Sequence, residues 1–328
     1  MIRLDTIKLK FPADLVTTIN DASFVREVRS SGGVEVSDKL TANRIGLGCK
    51  SIEIDNLKRD VVVELSAKIL KGGYFDLINI NTVNQCFDTI NSIGIVKLKT
   101  NDVIDQAMLL RADVTKNLVV KGPLSQYVEA LNHLRVNNRY KVDTYRQKNN
   151  NGIVFQGKQS SFKERMIFYD KAIDVSRDKL LQAEVSLPKL LNDFSHVLRC
   201  ETNIAQLRKI RELCGGGNSL LSVLKSDANP NLYLFNKVKS KSVNLELFSQ
   251  FDGMPFYQVE KLMGQQQIIK ELQYDMDLIY QFIESRVRGN VSRYKRRYRS
   301  LCYEMQQGRA DAINNDLLIE IEQQLKVA

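Results

Sequence analysis

Four short runs carry acidic, basic or hydroxyl-bearing side chains on the face of a strand pattern that a core does not need. In 61–68, Val61, Val63, Leu65 and Ala67 alternate with Glu64, Ser66 and Lys68. In 109–117, Leu110, Ala112 and Val114 oppose Arg111, Asp113 and Thr115. In 197–203, Leu198, Cys200 and Thr202 oppose Arg199, Glu201 and Asn203. In 165–171, Tyr169 and Lys171 share one face, with Phe168 and Asp170 on the other. Successive side chains of a strand point to opposite faces, so each run predicts one apolar and one polar face. Carboxylates converging from separate strands are what Mg²⁺ or Mn²⁺ requires, because hard cations take oxygen ligands and leave room for a substrate phosphate. The plainer reading is the wet face of an antiparallel sheet, which carries mixed charge without any chemistry.

Histidine chemistry is poorly served. The two histidines, His133 and His196, are far apart, so no paired-histidine metal motif exists. His196 precedes the Arg199/Glu201 face closely enough to keep a ligand role open. The chain has no GxSxG nucleophile elbow, no phosphate-binding loop of the GxxxxGK[ST] type and no GxGxxG. The GGGN at 215–218 follows a helical pattern and reads as a helix cap.

The elements that must position these residues read as strands near 7–11, 45–54, 60–68, 93–99, 107–117, 152–157, 165–172 and 197–204. A helix is expected over 126–136, where Tyr127, Ala130, Leu131 and Leu134 share a face. After about residue 205 the pattern becomes helical: 203–217, SVNLELFSQF, 259–287 and DLLIEIEQQL. The NNNG run at 149–152 reads as a loop. The expected fold is α+β, a mainly antiparallel sheet with helices on one face and a helical C-terminal region. The expected division is 1–205 for a catalytic domain and 206–328 for a basic helical accessory region.

A length of 328 residues suffices for a sizeable core, and 43% hydrophobic with 26% charged residues suits a globular chain. No run of about 18 apolar residues occurs, as a membrane span would need. The N-terminus lacks the pattern of a signal peptide. The five scattered cysteines form no CxxC pair. Together these give an expectation of a cytoplasmic protein without a membrane partner.

A net charge of +10 favours a polyanionic partner. The excess gathers in 286–300, where Arg293, Arg296 and Arg297 surround Tyr294 and Tyr298, four residues apart. Guanidinium forks match phosphate oxygens, and tyrosines stack on unpaired bases. Nucleic acid fits this segment better than a membrane surface, because the segment lacks a strong apolar face.

With these pieces placed, the sequence resembles the gene II/X replication initiators of filamentous phages and related plasmids. MIRLDTIKLKFP looks like their opening strand, and VVVELSAKILKGGYF resembles a block that here includes Glu64, Lys68, Leu70 and Gly72. LLRADVTKN is similar to their R-x-D-x-T strand, MIFYDKAIDV to a Y-x-K segment, VLRCETNIAQLRKIRELCG to an R-x-E strand, and SRYKRRYR to a late basic segment. The blocks run in the same order over most of the chain, although it is shorter than the full-length phage initiators.

The resemblance implies a site-specific, metal-dependent endonuclease and strand-joining enzyme that starts rolling-circle replication in the cytoplasm of a bacterial host. Its partner is a single-stranded or supercoiled DNA origin, with a host helicase and polymerase following. In these terms Asp113, Glu201 and Glu64 hold Mg²⁺ or Mn²⁺, and Tyr169 is the nucleophile that leaves a 5′-phosphotyrosine. Lys171 or Lys68 stabilises the transition state, and Tyr140 and Tyr145 are alternative nucleophiles. Arg111, Arg199, Arg293, Tyr294, Arg296, Arg297 and Tyr298 contact DNA. A non-catalytic origin-binding protein and an RNA-binding protein are the other readings.

Overall fold

The computed structural model describes residues 1–20, 23–29, 35–41, 46, 48–134, 136–145, 152–159, 164–239 and 255–327. Residues 149–151 of the expected NNNG loop and the expected SVNLELFSQF helix lie outside the described residues. The described chain has twelve strands: β1 (Leu4–Pro12), β2 (Val16–Thr18), β3 (Val25–Arg29), β4 (Glu35–Thr41), β5 (Cys49–Asp55), β6 (Asp60–Ser66), β7 (Val96–Leu98), β8 (Met108–Val119), β9 (Tyr140–Thr144), β10 (Gly152–Gly157), β11 (Glu164–Asp170) and β12 (Val197–Ile204). Ten of them form one sheet in the order β3-β4-β5-β6-β1-β8-β12-β11-β10-β9, and β2 pairs with β7. Every described pairing is antiparallel. The chain is therefore α+β, as its alternating runs require.

One face of the sheet carries a set of buried aliphatic residues. Ile7, Leu9, Val63, Leu65 and Ala112 are fully buried there, each larger aliphatic contributing about 1.5–3 kcal/mol. They share a core with helices α1 (Val83–Ser92) and α2 (Thr100–Gln106), through Val83, Phe87, Ile90 and Val103. Helix α3 (Leu124–Asn132) buries Tyr127, Ala130 and Leu131 as the periodicity predicts. In 109–117 the buried leucine is Leu109 and not Leu110, because the register shifts between the Lys8 and Leu9 pairings of β1 with β8.

Among the described residues, the other face is covered at one end. A 3-10 segment (Ala67–Asp76) and helices α4 (Lys171–Ser176), α5 (Lys179–Gln182) and α6 (Leu187–Asp193) cover it there. Tyr74 from the 3-10 segment and Phe194 at the end of α6 both lie 5.0 Å from the Arg199 guanidinium.

Two compact units divide the chain: residues 1–240 with 319–328, and residues 241–318. The first unit continues past residue 205 because α7 (Leu207–Leu213), α8 (Leu220–Leu224) and α9 (Pro230–Val238) supply core. Ile210, Leu213, Leu220 and Val223 join the main cluster, and Phe235 packs edge-on against Phe168. Gly215 and Gly216, both at positive φ, end α7 as a cap, with Gly216 N–H donating to the Arg211 carbonyl at 2.7 Å.

The second unit contains α10 (Phe256–Glu271), α11 (Met276–Arg286) and the first part of α12 (Val291–Lys326), around Ile269, Ile279, Ile283, Tyr298, Leu301 and Cys302. No helix among the described residues is long and apolar enough to cross a membrane.

Candidate active site

The closed end of the polar face holds a buried charged cluster. β11 ends at Asp170, whose carboxylate accepts the Ile173 N–H at 3.1 Å and starts α4. The cap places Lys171 as the first residue of the helix, so its side chain lies beside Tyr169. The Tyr169 hydroxyl donates to Glu201 Oε1 at 2.5 Å and accepts from Lys171 Nζ at 3.2 Å. Lys171 also donates to Asp174 Oδ2 at 2.8 Å. Directly across the ladder from Tyr169 stands Arg199. Its Nε donates to Asn117 at 3.0 Å, and its Nη1 to Asp5 at 2.9 Å and the Tyr74 hydroxyl at 3.2 Å. Tyr74 in turn donates to Asp5 at 2.9 Å.

Burial sets the protonation of this cluster. It penalises the Glu201 carboxylate, and the nearby Asp5 charge adds to the effect, while Lys171 and Arg199 offset part of it; the carboxyl is pushed up to about 7. Burial also acts against the charge of Asp5, but Lys171 and Arg199 outweigh it and hold that carboxyl below its ordinary range. The Lys171 ammonium is pushed down by burial and by Arg199. Tyr169 is pushed well above the usual phenol value by burial and by Glu201. Near neutral pH, then, Glu201 can accept a proton from Tyr169, and Lys171 stands by the same oxygen.

Two features make room for Tyr169. Gly152 is its cross-strand partner in β10, where a Cβ would fall 2.2 Å from the Phe168 carbonyl oxygen and 2.6 Å from Tyr169 Cβ. Tyr145, held by its N–H to the Gly152 carbonyl at 2.8 Å, stacks its ring on Tyr169 at 4.6 Å between centroids. Tyr169 is consequently only 3% exposed.

Toward the other end the face opens. Asp113, one row on, is bound by both arms of Arg111, at 3.2 Å and 2.9 Å. Burial pushes the Asp113 carboxyl up, and Arg111 limits that shift. Beyond it lies a groove of about 530 Å³ whose lining includes Arg111, Lys141, Gln156, Lys158, Arg165 and Asn203. Among the described lining residues the one acid, Glu164, is fully buried and accepts from Lys209 and Lys237 at 3.0 Å each, and from Tyr140 at 3.2 Å. The groove therefore presents positive charge.

The structure brings Tyr169, Lys171 and Glu201 together. The three carboxylates named for a metal are not grouped. Glu64 is paired with Lys50 at 3.4 Å, Asp113 is occupied by Arg111, and Glu201 by Tyr169. Among the described residues no three His, Cys, Asp or Glu side chains are placed to hold a metal ion, so this donor set does not fit one as it stands. Lys68 is ion-paired with Asp178, the N-cap residue of α5, and donates to that carboxylate rather than to Tyr169. Tyr140 is bonded to Glu164, away from the cluster. His196 is exposed, at a left-handed backbone position (φ 60) before β12.

Arg199 needs correction as a DNA contact. It is 0% exposed beneath Tyr74 and Phe194 and serves as an internal cation. In the second unit Arg293, Arg296 and Arg297 are exposed and Tyr294 is 39% exposed. Tyr298 is 6% exposed in the helical core, so it is not available to stack on a base beside Tyr294.

Sequence reading passed over Asp5, Tyr74 and Asp174. Asp5 was visible as an acid on the side of β1 that Ile7, Leu9 and Phe11 bury. A register shift between Leu4 and Thr6 lets it leave that face. Asp174 was visible as a carboxylate three residues after Lys171, one helical turn away. Tyr74 left no distinguishing signal within KGGYF.

No family model matches this chain, and no curated relative matches it. Among solved structures, the rolling-circle replication initiator protein from Geobacillus stearothermophilus aligns over 62% of this chain and 73% of its own, at 12% identity and a TM-score of 0.30. A likeness that loose carries no argument about function.

Proposed function

We propose that this chain cuts and rejoins a DNA strand through Tyr169, as an initiator of rolling-circle replication. One observation carries the reading: the Tyr169 hydroxyl has a proton acceptor, Glu201 at 2.5 Å, and a cation, Lys171 at 3.2 Å, on a sheet face that opens into a basic groove. A phenol is a weak nucleophile until a base takes its proton. Glu201 takes that proton as the Tyr169 oxygen bonds to phosphorus. The bond to the 3′-oxygen breaks, and that oxygen takes a proton from water. A 5′-phosphotyrosine and a free 3′-hydroxyl result, and the reverse attack rejoins the strand without ATP. Lys171 offsets negative charge at the reacting oxygen. The groove cations and the exposed arginines of 286–300 hold the phosphate backbone.

The test is incubation with supercoiled DNA carrying the element's own origin, run with Mg²⁺, with Mn²⁺ and with chelator, followed by mass spectrometry of the trapped adduct. The expected result is open circles and a nucleotide on the peptide containing Tyr169, both lost in Tyr169→Phe. An adduct on another peptide, or nicking that survives Tyr169→Phe, overturns the assignment.

The burial of Tyr169 under Tyr145 favours a second reading, a non-catalytic protein whose sheet face and basic helix grip DNA or RNA. Tight binding without open circles under any of the three conditions selects it, and competition between single-stranded DNA and RNA then identifies the ligand.

A further inference from the structure

Lys171 has two partners, and the second lies outside the reaction just described. Its Nζ is 3.2 Å from the Tyr169 hydroxyl and 2.8 Å from Asp174 Oδ2. The lysine side chain is 2% exposed and that of Asp174 10%. A lysine side chain has four rotatable bonds, and burying its charge without a partner is costly. Asp174 lies one turn along α4, a helix whose start is fixed by the Asp170 cap. The carboxylate is therefore held by backbone geometry and not by a flexible loop.

We infer that Asp174 is a positioning residue for the proposed strand transfer, fixing the Lys171 ammonium against the Tyr169 oxygen. The inference rests on that reading of the site and adds a group that does not itself touch the reacting atoms. Other charged and titratable groups face Lys171: Asp5 from β1, Arg199 and Glu201 from β12, Tyr169 from β11 and Tyr74 from the 3-10 segment. Arg199 opposes the ammonium, while Asp174, Asp5 and Glu201 support it. Of these carboxylates, Asp174 is the one that bonds to Nζ.

The sign of the effect separates positioning from mere proximity. By its field alone, the Asp174 charge makes Tyr169 harder to ionise. Removing that charge without disturbing Lys171 would therefore help Tyr169 attack. Removing the anchor of Lys171 would hinder it.

The full-length Asp174→Asn variant is compared with the parent in two ways. One is the rate of adduct formation on a labelled oligonucleotide carrying the cut site, with KM separated from kcat. The other is the pH titration of the Lys171 Cε resonance in lysine-labelled protein, assigned by its disappearance in Lys171→Met. Positioning expects kcat to fall roughly 10-fold with KM unchanged. It also expects the Lys171 midpoint to fall by about one pH unit, with Asp174→Glu restoring both. An unchanged or faster kcat, or an unmoved Lys171 midpoint, in a variant that melts like the parent overturns it. If Asp174→Asn does not fold, Asp174→Ser is read in its place. If the parent forms no adduct, the strand-transfer reading fails. The Lys171 titration then decides by itself whether Asp174 holds the ammonium.

Discussion

The two ends of one sheet face use the same residue types for different purposes. At the closed end Arg199 is 0% exposed and Lys171 1%. At the open end the side chains of Arg111 and Lys141 are 39% and 49% exposed. Both sets project from the same polar face, and Tyr169 and Arg165 are four residues apart on one strand, roughly 13 Å. What differs among the described residues is the cover: Tyr74, Phe194 and α4 lie over one end, while the cations at the other are half exposed. A cation under cover must be paired, so it fixes geometry and shifts its neighbours' protonation. A cation in water keeps its charge available for a ligand.

The largest expected contrast is in stability. Arg199→Ala leaves Asp5 buried without the guanidinium that bonds to it and is expected to cost about 3–5 kcal/mol. Lys141→Ala, half exposed and paired with an equally exposed Asp143, is expected to cost no more than about 0.5 kcal/mol. Urea denaturation of the two variants measures both. Equal losses would erase the distinction between the ends.

The next contrast is in pH dependence. The Glu201 carboxyl sits at about 7 in the folded chain, above its unfolded value of roughly 4.3. The stability this group contributes is fully present below about pH 4.3 and is lost as pH rises through 7, on the order of 3–4 kcal/mol. Glu201→Gln should remove that decline. Asp5 runs the other way, because its folded value is lowered: its contribution is present above its unfolded value and is lost as pH falls through the folded one. Stability curves from pH 4 to pH 9 for the parent and Glu201→Gln check the sign; a decline that persists unchanged in the variant places its origin elsewhere. The same titration should make adduct formation rise through about pH 7, as Glu201 becomes a base.

A smaller effect is expected from the close approach at Gly152. A methyl group there must push back the Phe168 carbonyl and Tyr169. Gly152→Ala is expected to cost about 1–3 kcal/mol and to disturb the Tyr145 stack. Thermal melting and tyrosine fluorescence together report it. A variant with unchanged melting would mean that the two strands have slack at this point.

Strand alternation made much of the sheet readable, since β1, β6 and β10 each bury a continuous apolar row. The facing of Glu64, Arg111, Asp113, Tyr169, Arg199 and Glu201 followed from the same period. How deep those residues lie was not readable, because cover comes from remote segments. Nothing near 199 announces that Tyr74 and Phe194 will close over its guanidinium. The helical extension of the first unit to residue 240 was likewise hidden, because amphipathic helices such as α7 show an apolar stripe but not its partner. Asp5 was lost to a register shift, which a fixed period of two cannot anticipate.

The smallest expected change in stability belongs to the open end, where it carries the most information about function. Replacing Lys141, Lys158 and Arg165 by alanine should alter stability by no more than about 0.5 kcal/mol each, because these side chains are exposed. Each phosphate that is no longer neutralised lowers the salt dependence of single-strand binding by about 0.7 in log–log slope, so three would lower it by about 2. Fluorescence anisotropy with a labelled oligonucleotide over a salt series measures the slope, and the same series on Arg293, Arg296 and Arg297 variants measures the basic helix by itself. A groove variant that melts like the parent and keeps the parent's slope would leave the helix as the main DNA-binding element. A loss of slope without a loss of stability would show that the open end is kept open for a strand.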